Sequence, residues 1–406
     1  MALRVLFVSG SVGLGHVTRD MAIAAELRRR HADVQVVWLA AGAARDVLRE
    51  AGEELLPESA EYGDYLDERV LAAAGRRPFN ANVLLAALAA REAVRANTGV
   101  LARLLAEDVC DVLVGDETYE LTQLLAGRPE LRRRPYVALL DFFGVEAVGW
   151  RPLEHLAARQ FNRLWVRADE RLFAAGGYRC LFIGEPDDVP TGRLGLGLPR
   201  RRSFALEHYE FIGHVLRFSP DAYRDRTALR ERLGYDARPL IVATAGGTAA
   251  GGDLLQLCAD ATPAIRERVP GARMVLVCGP GIARSSLRVS DGVEVRGFVP
   301  DLAAHLAASD LAITQGGATT TLELTALRRP FLYFPLEGHF EQALVAKRLA
   351  RQRAGVRLRF SEMSATRLAD EVAAHIGEPV EAEVPPLDGA SKAADAILSM
   401  LPWGAT

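Results

Sequence analysis

The chain has 406 residues, half of them hydrophobic and a quarter charged, with a formal net charge of −3. That length holds two domains of ordinary size, each with its own core, and that charge gives no general drive toward nucleic acid. No apolar run is long enough to span a bilayer and no secretory leader pattern opens the chain, so a cytoplasmic location is expected. Cys110, Cys180, Cys258 and Cys278 are scattered, with no C-x-x-C and no histidine at metal-ligand spacing. Cys110 and Cys278 read as buried free thiols, and neither a disulfide framework nor a zinc site is expected. The runs Arg132–Arg134 and Arg200–Arg202 read as solvated loops.

Short apolar runs bounded by charge, Pro or Gly mark strands at Leu3–Val8, Val34–Leu39, Val112–Gly115, Tyr136–Leu140 and Cys180–Ile183. Helical periodicity fills the intervals at about 16–30, 43–51, 80–106 and 153–174. Such alternation predicts a parallel, doubly wound sheet. In the helix at 80–106, Leu84, Leu85, Leu88, Leu101, Leu104 and Leu105 form a buried stripe; 58–78 fits neither period and reads as a loop or short helices. Residues 184–239, rich in Pro and Gly, read as a connection in which the chain changes domain near Phe211–Ser219, and Asp187-Asp188 within it reads as solvated.

The alternation resumes with strands at Leu240–Thr244, Met274–Cys278, Val293–Arg296, Leu311–Thr314 and Phe331–Phe334. Helices are expected at about 253–268, 300–308, 318–327, 340–352 and 364–376, and a last one over Ala390–Met400. The division is 1–212, 213–388 and 389–406, the last helix packing back on the first domain. The fold class is α/β: two Rossmann-like doubly wound domains facing across a cleft, with ligands outside the carboxyl ends of the strands.

Four constellations sit at such strand ends. After the first strand comes Ser9-Gly10-Ser11-Val12-Gly13-Leu14-Gly15-His16, where Gly13 and Gly15 allow a tight turn and close approach to a ligand. G-x-x-G-x-G is not the dinucleotide fingerprint G-x-G-x-x-G. His16 opens a helix, where the dipole keeps an imidazole neutral as a general base requires; from spacing alone a helix-capping histidine is the favoured reading. Asp116 either orients His16 from a neighbouring strand end or caps a loop.

The second constellation is Thr244-Ala245-Gly246-Gly247-Thr248, a nest for pyrophosphate or an ordinary strand-to-helix turn. Third is Phe298-Val299-Pro300, in which Phe298 stacks on a base with the Val299 backbone pairing its edge, or else belongs to the core. The fourth runs from Gln315 through Gly317, Ala318, Thr319 and Thr320 to Glu323, and then to His339, Glu341 and Gln342. A helix N-terminus there receives phosphate and Glu323 the ribose hydroxyls, while Glu341-Gln342 reach the sugar. The alternative has the threonines capping the helix and the carboxylates solvated.

These motifs together resemble the inverting GT-B glycosyltransferases related to the bacterial peptidoglycan N-acetylglucosaminyltransferases and to natural-product glycosyltransferases. The resemblance covers both domains and is sharpest over 296–342. It implies that His16 is the acceptor-side base, that Phe298-Val299-Pro300 holds the donor's base, and that Glu341-Gln342 reads the donor sugar. The plant-type signature H-C-G-W-N-S-T-L-E aligns without gaps from Gln315 to Glu323. Its histidine is Gln315 here and its Asn-Ser pair is Thr319-Thr320, which alters the phosphate contacts; Phe298 replaces a stacking tryptophan. Retaining relatives carry a glutamate eight residues before the ribose acid, and Gln315 at that place argues for inversion.

The resemblance implies a hexosyl transfer from a nucleotide diphosphate sugar, UDP favoured and dTDP the alternative, to a hydroxyl or amine of a small specialised metabolite. The nucleotide sugar is a co-substrate; no metal and no further cofactor is expected, in keeping with the lack of a D-x-D cluster. A nucleotide-sugar 2-epimerase shares the architecture, and a non-catalytic nucleotide-sugar binder is a third class. A glycolipid-forming transferase would want a basic-hydrophobic face, for which Arg76, Arg77, Phe79, Leu84 and Leu85 are candidates.

Overall fold

The computed structural model describes residues 3–9, 13–63, 91–147, 152–246, 251–279 and 281–401. Their contacts divide them into two units: the first holds the described residues up to Arg217 together with Pro386–Leu401, the second Phe218–Pro385.

The first unit is built on a seven-stranded sheet of β1 (Leu3–Val8), β2 (Val34–Leu39), β3 (Glu54–Leu55), β4 (Val112–Asp116), β5 (Tyr136–Leu140), β6 (Tyr178–Ile183) and β7 (Glu210–Gly213). The order is β3-β2-β1-β4-β5-β6-β7 and every pairing is parallel. Parallel strands are covered on both faces, which is why β4 and β5 are apolar nearly throughout and buried at every residue. Helix α1 (Gly13–Arg30) buries Val17, Ile23, Ala24 and Leu27 against β1 and β2.

The same cluster takes in Ala393, Ala394, Ile397 and Leu398 of the helix Gly389–Leu398, which lies along α1. Arg30 at the end of α1 pairs with Asp395. Where the chain leaves the unit and where it returns, the backbones are joined: His214 N donates to Pro386 O at 2.8 Å and Gly389 N to His214 O at 3.0 Å.

The second unit has a six-stranded parallel sheet of β8 (Leu240–Thr244), β9 (Arg273–Val277), β10 (Val293–Arg296), β11 (Leu311–Gln315), β12 (Phe331–Phe334) and β13 (Val356–Arg357), in the order β10-β9-β8-β11-β12-β13. The helices Gly252–Arg268 and Ala365–His375 close one face over Ile241, Met274, Leu311 and Leu332. The other face carries Val242, Val275 and Ala312 under Ala304, Leu306, Val345 and Leu349.

Several expectations need correction. The supposed connection at 184–239 contains the helix Arg201–His208, the strand β7 and the helix Arg226–Leu233, and the units part after Arg217 rather than after 212. Arg201 is not solvated: it is buried, its guanidinium 2.9 Å from Glu146. Asp188 is engaged too, its carboxylate accepting from Glu185 N at 2.8 Å, while Asp187 pairs with Arg202. The expected helix at 80–106 is described as Arg91–Ala106, with Leu101, Leu104 and Leu105 buried; Leu84, Leu85 and Leu88 lie outside the described residues, as do Arg76, Arg77 and Phe79. All four cysteines are buried and unpaired with one another.

Candidate active site

In each sheet the strand order reverses beside the first strand, between β1 and β4 and between β8 and β11. Connections leaving such neighbours run to opposite faces of the sheet, which opens a crevice at the carboxyl ends of the strands. His16 and Asp116 lie at the first of these places and Thr244, Gln315 and the turn after it at the second, whereas Phe298 follows the edge strand β10 and His339, Glu341 and Gln342 follow β12.

In the first unit, α1 follows β1 and begins at Gly13, so that Gly15 and His16 lie in its first turn. His16 does not cap the helix. It is buried, and its Nδ1 lies 3.1 Å from Oδ2 of Asp116, the fully buried last residue of β4. The register that sets Val8 beside Gly115 brings the two chain segments together.

Around this pair stand charged groups that the motif reading did not select. Arg19 Nε donates to Asp116 Oδ2 at 2.8 Å, its Nη2 reaches the other oxygen of Asp116, and its Nη1 donates to Asp141 at 2.5 Å. The same Nη2 is 3.3 Å from Glu117 Oε1 and 2.8 Å from His16 Nδ1. Glu117 Oε2 is 3.6 Å from His16 Nε2 on the other side of the ring. Asp20, one residue on, is buried and accepts from Ser9 Oγ at 2.6 Å.

Burial alone would raise the Asp116 carboxyl, but the positive Arg19 and then His16 outweigh it and hold it well below the usual carboxylate range. Asp141, partly buried, is brought down to about 2, chiefly by Arg19 against the opposing effect of burial. Glu117 moves the opposite way, raised by burial and next by the charge of Asp141. Asp20 is also raised, by burial and then by the charge of Asp116. The cluster thus moves its carboxyls in opposite directions, Asp116 and Asp141 down and Glu117 and Asp20 up, around one histidine.

The tautomer of His16 decides its chemistry. With the proton on Nδ1 the ring donates to Asp116 and Nε2 is left as a bare base; with Nδ1 bare it accepts from Arg19 and Nε2–H faces Glu117. Ligand atoms of His16, Asp116 and Glu117 lie within 4.8 Å of one another, a spacing a cation can use. Here Arg19 already supplies positive charge to both carboxylates.

A signal for the missed residues existed in the sequence. His16, Arg19 and Asp20 recur at i, i+3 and i+4, one face of a helix whose other inward positions are apolar. Asp141 follows β5 as Asp116 closes β4. Nothing in the sequence marked Glu117, whose backbone is left-handed at φ 50°.

In the second unit, Thr244 closes β8 and Gln315 closes β11, both buried, with Thr244 paired to Thr314 in the sheet. Gly246 turns the chain away at φ 76°, its N–H 3.5 Å from Thr244 Oγ1; Gly247 and Thr248 lie outside the described residues. A Cβ on Gly316 would come within 3.1 Å of Pro335, so only glycine lets the loops after β11 and β12 approach this closely.

Gly317 is the N-cap of the helix Ala318–Ala326, and no side chain caps it. Thr319 and Thr320 stand half-buried in the first turn, and the hydroxyl that bonds back to Gly317 O, at 2.8 Å, is that of Thr321. The first-turn amides therefore keep the donor capacity and partial positive charge that suit an anion. Glu323 is buried in the second turn, not solvated.

Past β12, His339 is the N-cap of the helix Phe340–Arg351 and accepts from Gln342 N at 3.5 Å. Glu341 is half-buried beside it. The Gln342 side chain is buried and its Oε1 accepts from Leu336 N at 2.7 Å, so its oxygen holds the loop and only its amide nitrogen is left for a ligand. Phe298, after β10, is 42% exposed and is not core, whereas Val299 packs on the cluster beneath β8 and β9.

The glycosyltransferase family 28 C-terminal domain matches residues 241–397. An uncharacterized glycosyltransferase of Methanopyrus kandleri is 27% identical over 164 residues, 40% of this chain and 45% of that protein. The UDP-N-acetylglucosamine–N-acetylmuramyl-(pentapeptide) pyrophosphoryl-undecaprenol N-acetylglucosamine transferase of Acidothermus cellulolyticus is 29% identical over 292 residues, 68% of this chain and 67% of that one. Thus the chain spans less than half the length of the first relative and about two thirds of the second. Among solved structures, the glycotransferase of kitacinnamycin superposes with a TM-score of 0.63 at 18% identity, over 99% of this chain and 100% of that one. The chain therefore has the GT-B fold, is similar in sequence to glycosyltransferases, and matches the glycosyltransferase family 28 C-terminal domain over residues 241–397.

Proposed function

We propose that this chain is an inverting, metal-independent glycosyltransferase that moves a sugar from a nucleotide diphosphate, UDP in preference to dTDP, to a hydroxyl or amine of a small-molecule acceptor. One observation carries most of the weight. A buried carboxylate, Glu323, stands one turn inside a helix whose N-terminus no side chain caps, at the strand end where the second sheet reverses. Phosphate against the first-turn amides and ribose hydroxyls on Glu323 make use of each of these features.

In this reading the donor's leaving diphosphate gathers charge against the Ala318–Thr320 turn as its bond to the anomeric carbon breaks. His16 takes the proton of the attacking hydroxyl at Nε2 and passes positive charge toward Asp116 through Nδ1. Arg19 anchors Asp116 and supplies the positive charge that a cation would otherwise bring to this cluster. Phe298, exposed at its strand end, offers its ring to the donor base, and His339, Glu341 and the amide nitrogen of Gln342 face the donor sugar.

The test is a titration of UDP, dTDP and GDP against the wild type and Glu323→Ala. Loss of a charge-assisted ribose contact should weaken the preferred nucleotide by about 1.5–3 kcal/mol. If no nucleotide binds, the transferase and epimerase readings fall together. Product analysis by NMR then separates these two, since an epimerase changes the sugar while it stays on the nucleotide.

A second reading, a glycolipid-forming transferase, is favoured by the undecaprenol-linked acceptor in the name of the Acidothermus relative. The helix Pro152–Ala175 leaves Leu153 and Leu156 well exposed, as a membrane-facing surface would.

A further inference from the structure

Between the helices Tyr119–Gly127 and Pro152–Ala175 the first unit encloses a cavity of about 100 Å³, floored by β4, β5 and β6. Its floor is kept low by small residues. At Gly115 a Cβ would come within 2.3 Å of Thr118 Oγ1 and 3.0 Å of the Tyr136 hydroxyl, and next to it on β5 stands Ala138.

Its wall is aromatic. Tyr119, Phe161 and Trp165 meet edge to face, with ring centroids 4.7 Å apart for Tyr119–Trp165, 5.7 Å for Tyr119–Phe161 and 5.8 Å for Phe161–Trp165. Rings held this way present both positive edges and negative faces, so a further ring finds a matching partner where an alkyl chain finds only contact. Phe161 and Leu164 are partly exposed and open the cavity to solvent.

Size sets the class of occupant. An apolar cavity of about 150 Å³ binds benzene. The space here, about 100 Å³ and open past Phe161 and Leu164, takes at most a single six-membered ring, not a fused polycycle or a polyprenyl chain. Among its polar groups, Tyr178 donates to Asp169 at 3.0 Å and Thr122 meets Tyr136 at 2.9 Å, while the buried Thr118 Oγ1 has no hydrogen-bond partner among the described residues. Glu117 is among the lining residues, and its Oε2 lies 3.6 Å from Nε2 of His16, which does not itself line the cavity.

We propose that this cavity binds one phenolic ring of the acceptor, with its hydroxyl turned toward Glu117 and His16. The ring site stands on the cavity itself; that its hydroxyl is the one glycosylated rests on the transferase reading above.

The experiment is a ¹⁹F NMR titration of 4-fluorophenol, with 4-fluorocyclohexanol as the non-aromatic control. It is run on the wild type and on Ala138→Leu, whose added carbons occupy the cavity, with UDP titrated in parallel. Expected are saturable binding of the phenol to the wild type, weaker binding of the control, and at least a tenfold loss in Ala138→Leu with UDP affinity unchanged. No saturable phenol binding, equal binding of the cyclohexanol, or undiminished binding to Ala138→Leu would overturn the proposal. Should Ala138→Leu fail to fold, Phe161→Leu, on the exposed flank, must cause the loss instead. Phenol binding without nucleotide binding would leave the ring site standing and remove the transferase reading; the reverse would do the opposite.

Discussion

Arg19 grips both carboxylate oxygens of Asp116, and the same guanidinium nitrogen that makes one of these bonds lies 2.8 Å from Nδ1 of His16. The aspartate is therefore shared between a permanent cation and an imidazole that is charged only after it has taken a proton. Shared in this way, Asp116 stays ionised and fixed through a reaction cycle, while the hydrogen on Nδ1 selects which face of the histidine is basic.

If Arg19 is what makes the crowded carboxyls of Asp20, Asp116, Glu117 and Asp141 tolerable, removing it should be costly. We expect Arg19→Ala to lose about 3–5 kcal/mol of stability in urea unfolding, because it leaves uncompensated buried charge. Arg19→Ala combined with Asp141→Asn should recover part of this. Strictly additive losses would show that the two side chains are not coupled in the way their 2.5 Å contact indicates.

His16→Ala should lower kcat by about 10²–10⁴-fold, the usual worth of a positioned general base, and leave nucleotide affinity unchanged. Transfer rates with a phenol and a UDP-sugar, set beside a UDP titration, check both halves of this expectation. A matching fall in UDP affinity would assign His16 to binding instead.

Glu117 sits at φ 50°, a backbone conformation that is costly for any residue with a Cβ. Its carboxyl is crowded by two others. Glu117→Gly should raise stability by about 1 kcal/mol, the left-handed strain exceeding the extra chain entropy of glycine. Transfer should fall at the same time. Thermal melts and a rate assay on one preparation would show whether strain is kept here for function.

Glu120, fully buried with Tyr62 donating to it at 2.7 Å, has its carboxyl pushed up by burial to about 7 from an ordinary 4.5. Between these values the folded chain holds a proton that the unfolded chain has released. Stability should therefore fall as pH rises through that window, by about 3 kcal/mol from this group. Glu120→Gln keeps the acceptor oxygen for Tyr62 and should flatten the slope; urea midpoints at the two ends of the window measure it.

Much of the fold was legible because parallel strands buried on both faces write themselves as apolar runs. β1, β2, β5, β8, β10 and β12 were located within a residue of their observed ends. Strand β7, Glu-Phe-Ile-Gly, is too short and too mixed to show itself, and its place in the first sheet depends on long-range pairing with β6. At the candidate site, the residues singled out from sequence stand at or just after strand ends, where Gly-rich turns mark the place. Arg19 and Asp20 were missed since a charged pair on a helix usually faces solvent, and only the tertiary fold turns this pair inward. Gln342 has a second role that no sequence pattern announced, its oxygen holding its own loop through Leu336 N.

The joined backbones at His214, Pro386 and Gly389 bear on how the protein is made. Residues emerge from the ribosome in order, yet α1 in the first tenth of the chain is covered by a helix from its last tenth. The second unit can thus mature while the first still lacks a side. Until residues 386–401 arrive, the flank of α1 that the helix Gly389–Leu398 covers stays open, and exposed apolar surface of that kind favours misassembly. The same closure means that the segment 218–385 enters and leaves at neighbouring points. It could be cut out and replaced by a short linker, and a first unit prepared in that way could be assayed for phenol binding alone.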